Sequence, residues 1–361
     1  MTGTTTTTTT RIGRVLDANR DRPMTPDVTT PIPSRVVALG GGTGLPAVLR
    51  GLKEYRPAGN HNGFLTAVVT MSDDGGSSGR LRSSMNLPPP GDVRNCLVAL
   101  SEEENDQFAG LFQYRYDSSE ELKGHSVGNL ILAALAEQTG CFVKAVEASG
   151  RFLRTVGKIL PATQETVTLE AELVDGSMVS GETRIACAKK AIRRVSLKPR
   201  DAQATPGIVE AIHQAELVVV GPGSLYTSTV PNLVVKEIGR ALNETRAVVV
   251  LVANLVSERG EASGLGLLDH IEVIEDHAGY PILDAVLVNN GRIGTDTLKR
   301  YEADGAIPLF WPKRKKHRIH VQQRNLLAKT AKLRHDPRAT ASGLVDTWRD
   351  LTGRQKINQV C

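Results

Sequence analysis

Short apolar runs that end in glycine, serine, aspartate or asparagine, alternating with helically spaced aliphatic residues, predict an α/β fold. The expected architecture has three layers: a doubly wound, mostly parallel Rossmann-like sheet with a small antiparallel β-hairpin insert. The composition points the same way. Hydrophobic residues make up 40% of the 361-residue chain and aromatics only 4%, so the core must rest on Val, Leu, Ile and Ala, the filling of a buried parallel sheet.

Residues 1–34 are rich in Thr, Pro and Arg and lack apolar periodicity, which predicts a disordered tail. Arg35-Val-Val-Ala-Leu39 then reads as a strand, Gly40-Gly-Gly-Thr-Gly44 as a loop, and Pro46 to Lys53 as a helix with proline in its first turn. Leu65 to Thr70 is a second strand and runs into Ser72-Asp-Asp-Gly-Gly-Ser-Ser-Gly79. Asp92 to Leu100 and Ser126 to Ala136 carry helical spacing of Val, Leu, Ile and Ala. Val167 to Leu173, Asp175-Gly176 and Ser177 to Ser180 read as a hairpin with a two-residue turn, which places the insert at about residues 157–197. Leu217-Val-Val-Val220 leads into Gly221-Pro-Gly-Ser224 and a helix near Val230 to Leu242. Ala247 to Val252 is a strand ending at Asn254, and Asp284 to Val288 is another ending at Asn289-Asn290. The main domain is thus expected over residues 35–311. A basic segment, 312–361, packs on it or extends from it.

No apolar run approaches the roughly 20 residues of a membrane helix, and the N-terminus has no apolar segment of signal-peptide type. A cytoplasmic protein with no membrane partner is expected. Cys96, Cys141, Cys187 and Cys361 are too scattered for a zinc site or a disulfide framework and read as reduced thiols. The formal charge is +5, with much of the excess in Lys313, Arg314, Lys315, Lys316, His317 and Arg318. Without interleaved aromatics this run reads as a solvated face rather than a nucleic-acid site.

The polar strand ends converge, because ligands of open α/β sheets bind beyond the carboxyl ends of the strands. Gly41, Gly42, Thr43 and Gly44 sit between a strand and a helix, where the backbone can approach a phosphate and free N–H groups point at it. Gly221, Pro222, Gly223 and Ser224 repeat that grammar, which suits a ligand with two polar ends. Asp73 and Asp74 can hold Mg²⁺ or hydrogen-bond ribose hydroxyls; Ser77, Ser78, Arg80 and Arg82 add donors and positive charge. Asp92 reads as a helix N-cap, and Arg94 and Asn95 can face the crevice from the first turn. His125, Ser126 and Asn129 open another helix, where His125 can be an acid/base group, a ligand contact or a capping neighbour. Asn254 closes the set at a strand end.

In order, Gly40–Gly44, Asp73–Arg82, Pro88–Asn95, Gly124–Asn129 and Gly221–Ser228 resemble the blocks of the bacterial gluconeogenesis factor family, relatives of the 2-phospho-L-lactate transferases of deazaflavin-coenzyme synthesis. Phe112-Gln-Tyr114, Leu160-Pro-Ala-Thr163 and Arg334-His-Asp-Pro337 add shorter matches. The block from Asn254 to Gly264 departs from the family pattern at Glu258 and Ala262, and the next position is Leu265 where the family has an aromatic. The resemblance implies a Rossmann-like core and a cytoplasmic regulator that binds a nucleotide-sugar and links carbon metabolism to cell-wall synthesis and cell shape. It also implies protein partners in those processes. The alternative is a Mg²⁺-dependent, 2-phospho-L-lactate-transferase-like enzyme with Asp73 and Asp74 on the metal. Phosphoryl and related transfers rest mostly on positioning and charge neutralisation, so the lack of an obvious nucleophile leaves that alternative open. A nicotinamide-dependent oxidoreductase is disfavoured by the absence of a GxGxxG fingerprint. Self-association is left open.

Overall fold

The computed structural model describes residues 31–57, 63–102, 107–118, 120–312 and 317–360, with side chains to 353. The tail expected over 1–34 lies outside these residues up to position 30, as do Lys313, Arg314, Lys315 and Lys316. The strands are β1 (Val36–Gly40), β2 (Leu65–Val69), β3 (Lys158–Pro161), β4 (Thr168–Leu173), β5 (Met178–Ser180), β6 (Ile192–Lys198), β7 (Leu217–Val220), β8 (Val248–Val252), β9 (Ala285–Asn289) and β10 (His320–Arg324). A seven-stranded sheet runs β10-β9-β8-β7-β1-β2-β3, and every adjacent pair in it is parallel. Helices flank it on both faces, as parallel crossovers require. In β1, β7, β8 and β9 every residue is buried, which is why their sequences are continuous β-branched and aliphatic runs.

The winding proceeds one way from β1 to β3 and the other way from β7 to β10. The direction reverses between β1 and β7, so the crevice of this doubly wound sheet lies beyond Gly40 and Val220. Among the described residues, no helix is long and apolar enough to cross a membrane.

The structure differs from the sequence expectation in three places. Lys158–Pro161, expected within the insert, pairs with β2 in the main sheet. The insert itself is a three-stranded antiparallel sheet, β5-β4-β6, with β6 as a further strand. Its hairpin loop has an extra residue: Leu173 N donates to Ser177 O (2.9 Å), leaving Val174, Asp175 and Gly176 in the loop. Gly176 sits at φ +82, the left-handed position that closes a three-residue hairpin. Third, the sheet continues past residue 311. β10 adds an edge strand, and the helix Pro337–Val360 packs back against the helix Gly44–Leu52. That contact is backbone to backbone, since a Cβ at Gly51 would lie 1.9 Å from Pro337 O.

Candidate functional site

The two glycine loops meet at the switch point. A Cβ on Gly44 would lie 1.9 Å from Pro222 O, so only glycine lets the first turn of the helix Gly44–Leu52 pass the second loop. Gly41 is equally constrained, with Thr70 Cγ2 2.4 Å from where its Cβ would stand. Side chains then fix the loops. Gly42 N donates to Asp92 Oδ2 (2.7 Å), and Gly223 N donates to Asn254 Oδ1 (3.0 Å), while Asn254 Nδ2 returns a bond to Gly223 O (2.8 Å). Asp92 is therefore not the helix cap expected of it. Its helix, Gly91–Leu100, is preceded by Pro90, and Asp92 reaches from the first turn to the glycine loop. Burial pushes the Asp92 carboxyl up to about 6, with the charge of Asp73 adding to the rise.

A cavity of about 380 Å³ opens beside these loops and is lined by Gly42, Thr43, Gly44, Gly223, Ser224 and Asn254. It offers the amino end of a helix, a natural position for an anion. The lining also includes residues that the sequence reading did not single out as contacts: Glu258, Arg259, Tyr301 and Arg334. Glu258 Oε1 accepts from Asn254 Nδ2 (2.6 Å), and its Oε2 is buried without a partner among the described residues. Burial, then the charge of Glu261, pushes Glu258 up to about 8. Glu261 accepts from Tyr226 N (3.1 Å) and is pushed up to about 7 by burial. The available signal was position: both glutamates follow the carboxyl end of β8, a few residues past Asn254. Arg334 precedes His335, whose Nε2–H donates to Ala253 O (3.1 Å) and ties that part of the lining to the end of β8.

On the other side of Asp92 lies a closed polar cluster. The Gly76–Ser78 run beyond the second strand is the first turn of the helix Gly76–Met85. Arginine can only donate, so Arg80 Nε donates to His125 Nε2 (3.0 Å) and places the imidazole hydrogen on Nδ1. That Nδ1–H donates to Ser77 Oγ (3.0 Å), which also accepts from Asn129 Nδ2 (3.1 Å). The hydroxyl hydrogen of Ser77 is left over. Burial first, then the charges of Arg80 and Arg115, lowers the pKa of His125 and keeps the ring neutral. Ser126 caps the helix Val127–Thr139 by accepting from Asn129 N (3.3 Å). Arg94, only 3% exposed, donates to Ser126 Oγ, Asn129 Oδ1 and Asn95 Oδ1, and its Nε has no partner among the described residues. Burial, then the nearby Arg115, lowers Arg94 to about 10. Ser78 Oγ accepts from Gly91 N (3.1 Å) and joins the two helices that carry the cluster.

Some expected contacts turn elsewhere. Arg82 donates to Val167 O and to Thr168 Oγ1 (3.1 Å), anchoring the insert. Asp74 Oδ1 accepts from Thr183 N (2.8 Å) and Thr183 Oγ1 (2.7 Å), capping the insert's helix Glu182–Ala186 from a distance. Asp73 Oδ1 accepts from Gly75 N (2.9 Å). Glu182 stands near both aspartates; burial first, then their charges, pushes it up to about 7. Among the described residues, no group of three or more His, Cys, Asp or Glu side chains is placed to hold a metal ion.

Comparison with known proteins agrees with this architecture. The family model described as 2-phospho-L-lactate transferase CofD matches residues 36–327. A protein of Halalkalibacterium halodurans named gluconeogenesis factor is 43% identical over 76% of this chain and 83% of its own length. One of Bacillus subtilis with the same name is 40% identical over 88% of this chain and 98% of its own length. A crystal structure of a protein from Bacillus halodurans superposes with a TM-score of 0.81 at 39% identity, over 86% of this chain and 99% of that one. The chain belongs to the gluconeogenesis factor family, within the wider family of the 2-phospho-L-lactate transferase CofD model.

Proposed function

We propose that the chain is a cytoplasmic gluconeogenesis factor that binds a nucleotide-sugar in the switch-point crevice and acts as a regulator rather than as an enzyme. Its partners would lie in carbon metabolism and cell-wall synthesis, and its output would be cell shape. The observation that carries this reading is the cavity beside the paired glycine loops. The cavity offers the amino terminus of a helix for a diphosphate, and Tyr301 and Arg334 in its lining for hydroxyls and a base. The test is a thermal-shift and calorimetric series with uridine diphosphate and uridine diphosphate glucose. A ligand at 100 times its dissociation constant stabilises the fold by ~2.7 kcal/mol. No shift with any nucleotide or nucleotide-sugar would end the proposal.

A second reading is a Mg²⁺-dependent transferase of a phosphate-linked group with Asp73 and Asp74 on the metal; Asp73, Asp92 and Glu182 feel one another's charge, although among the described residues no group of three or more such side chains is placed to hold an ion. Against it, Asp74 and Asp73 already accept backbone and hydroxyl hydrogens through Oδ1. We read them as hydrogen-bonding groups. Asp74→Asn separates the readings, because the amide oxygen can still accept from Thr183 while the anionic metal ligand is lost. Nucleotide affinity indifferent to Mg²⁺ and chelator supports the regulator. A strict Mg²⁺ requirement abolished in Asp74→Asn puts the transferase first.

A further inference from the structure

Aromatic side chains are scarce in this chain, with 6 Phe, 6 Tyr and 2 Trp, and several of them gather at one surface. The rings of Phe108 and Phe152 meet edge to face with centroids 4.9 Å apart, and Phe152 stacks on Phe112 at 6.1 Å. The helix Gln107–Gln113 buries Ala109 and Phe112 and packs on the helices Gly91–Leu100 and Val127–Thr139. Its other side faces out. Phe108, Leu111, Tyr114 and Phe152 each expose between 43% and 53% of their surface. Together they present roughly 300–400 Å² of apolar area, a size at which a patch on a soluble protein is often functional.

Gly110 lies in the middle of that exposed side. Glycine weakens a helix interior, and no neighbour within the fold asks for it here, since a Cβ would meet nothing within 4 Å. Gly128, on the helix beneath, is the opposite case: its Cβ would lie 2.7 Å from Phe112 O. Bare backbone at the centre of an apolar face suits the close approach of a second helix. Charge indicates which helix. The chain reads Glu102-Glu-Glu-Asn-Asp106 ahead of this helix and Arg115 just beyond it. Arg115 is exposed, donates to Gly124 O (2.8 Å) and forms no ion pair among the described residues. Two copies crossing antiparallel about a two-fold axis turn each acidic end toward the other copy's Arg115, so the face is complementary to itself.

We propose that this face joins two copies of the chain into a dimer, the helix Gln107–Gln113 of each crossing that of the other at Gly110. A stable interface buries about 800 Å² per partner around an apolar centre with a polar rim. Phe108, Leu111, Tyr114 and Phe152 supply the centre, and Gln107, Gln113 and Arg115 the rim. The proposal uses no residue of the nucleotide cavity and stands apart from that reading.

The test is sedimentation velocity of the full chain from about 1 to 100 μM. Wild type reaches twice the chain mass at the upper end. Gly110→Gln wedges a side chain between the crossing helices while favouring each helix alone, so the dimer dissociates about tenfold more readily or worse and the circular dichroism spectrum stays that of wild type. Leu111→Lys weakens the dimer by a similar factor. A wild type that stays monomeric throughout would overturn the proposal and leave the face to a different partner. So would a dimer that both variants leave at wild-type strength, because the copies would then meet elsewhere. Loss of helical signal in Gly110→Gln would overturn it too, by showing that the glycine serves the fold itself.

Discussion

The two wings of the crevice look alike as sequence and behave differently as structure. The wing around Gly42–Gly44, Gly223–Ser224 and Asn254 borders an open cavity. The wing around Ser77, Arg94, Ser126 and Asn129 is packed shut, and its polar groups answer one another. Asp92 is the hinge between them, rooted in the closed wing and bonded to the loop of the open one. A dense polar motif can therefore be a binding surface or the frame that holds such a surface, and only packing separates the two. Buried polar networks rigidify as their members are satisfied, and in this wing Arg94 Nε and the Ser77 hydroxyl hydrogen are the exceptions among the described residues. The closed wing is suited to fixing the glycine loop at a single geometry.

This contrast can be broken most forcefully at Arg94. Arg94→Leu removes a buried guanidinium and strands its acceptors, so unfolding free energy should fall by about 3–5 kcal/mol in a denaturant titration. A loss below ~1 kcal/mol would mean that the closed wing is not structural. Asn254→Ala tests the other side. Releasing Gly223 should weaken nucleotide binding by roughly ten- to a hundredfold, about 1.4–2.8 kcal/mol, with a smaller change in melting temperature. Unfolding without an affinity change would reverse the assignment of the two wings.

A smaller effect comes from protons. Glu258 rises from 4.5 to about 8, and Glu182 and Glu261 from 4.5 to about 7. Above the unfolded value the folded chain holds protons that the unfolded chain has released, so stability falls as pH climbs toward 8. The histidines with lowered values act oppositely, but only below their unfolded value of 6.5. Melting temperature should thus decline from pH 6.5 to 8, and Glu258→Gln should flatten the decline. A flat wild-type profile would place these carboxyls in water. The smallest effect is expected at Arg82. Because it anchors the insert, Arg82→Ala should cost about 1–2 kcal/mol and leave nucleotide affinity within a factor of two.

The sheet was legible wherever strands are buried on both faces. β1, β7, β8 and β9 announce themselves as unbroken aliphatic runs. The edges were not. β3 is Lys-Ile-Leu-Pro, and β10 is His-Val-Gln-Gln-Arg, because a strand at a sheet margin need not be apolar on both faces. In the site, the glycine loops were readable because close backbone approach demands glycine whatever the neighbours are. Arg82 was misplaced because a long side chain can serve either of two neighbours, and sequence order does not say which. Glu258 escaped because a glutamate is ordinarily exposed, and only the fold pulls this carboxyl inside.

The contact between Gly51 and Pro337 sets a timetable for the protein's manufacture. The first glycine loop leaves the ribosome early, yet the helix behind it rests on backbone made almost three hundred residues later. Arg334, in the cavity wall, arrives just ahead of that backbone. Contacts so distant in sequence form late, after the chain has paid the entropy of closing the loop between them. A nascent or truncated chain can complete its central strands before Arg334 and the helix Pro337–Val360 close the wall beside the glycine loops.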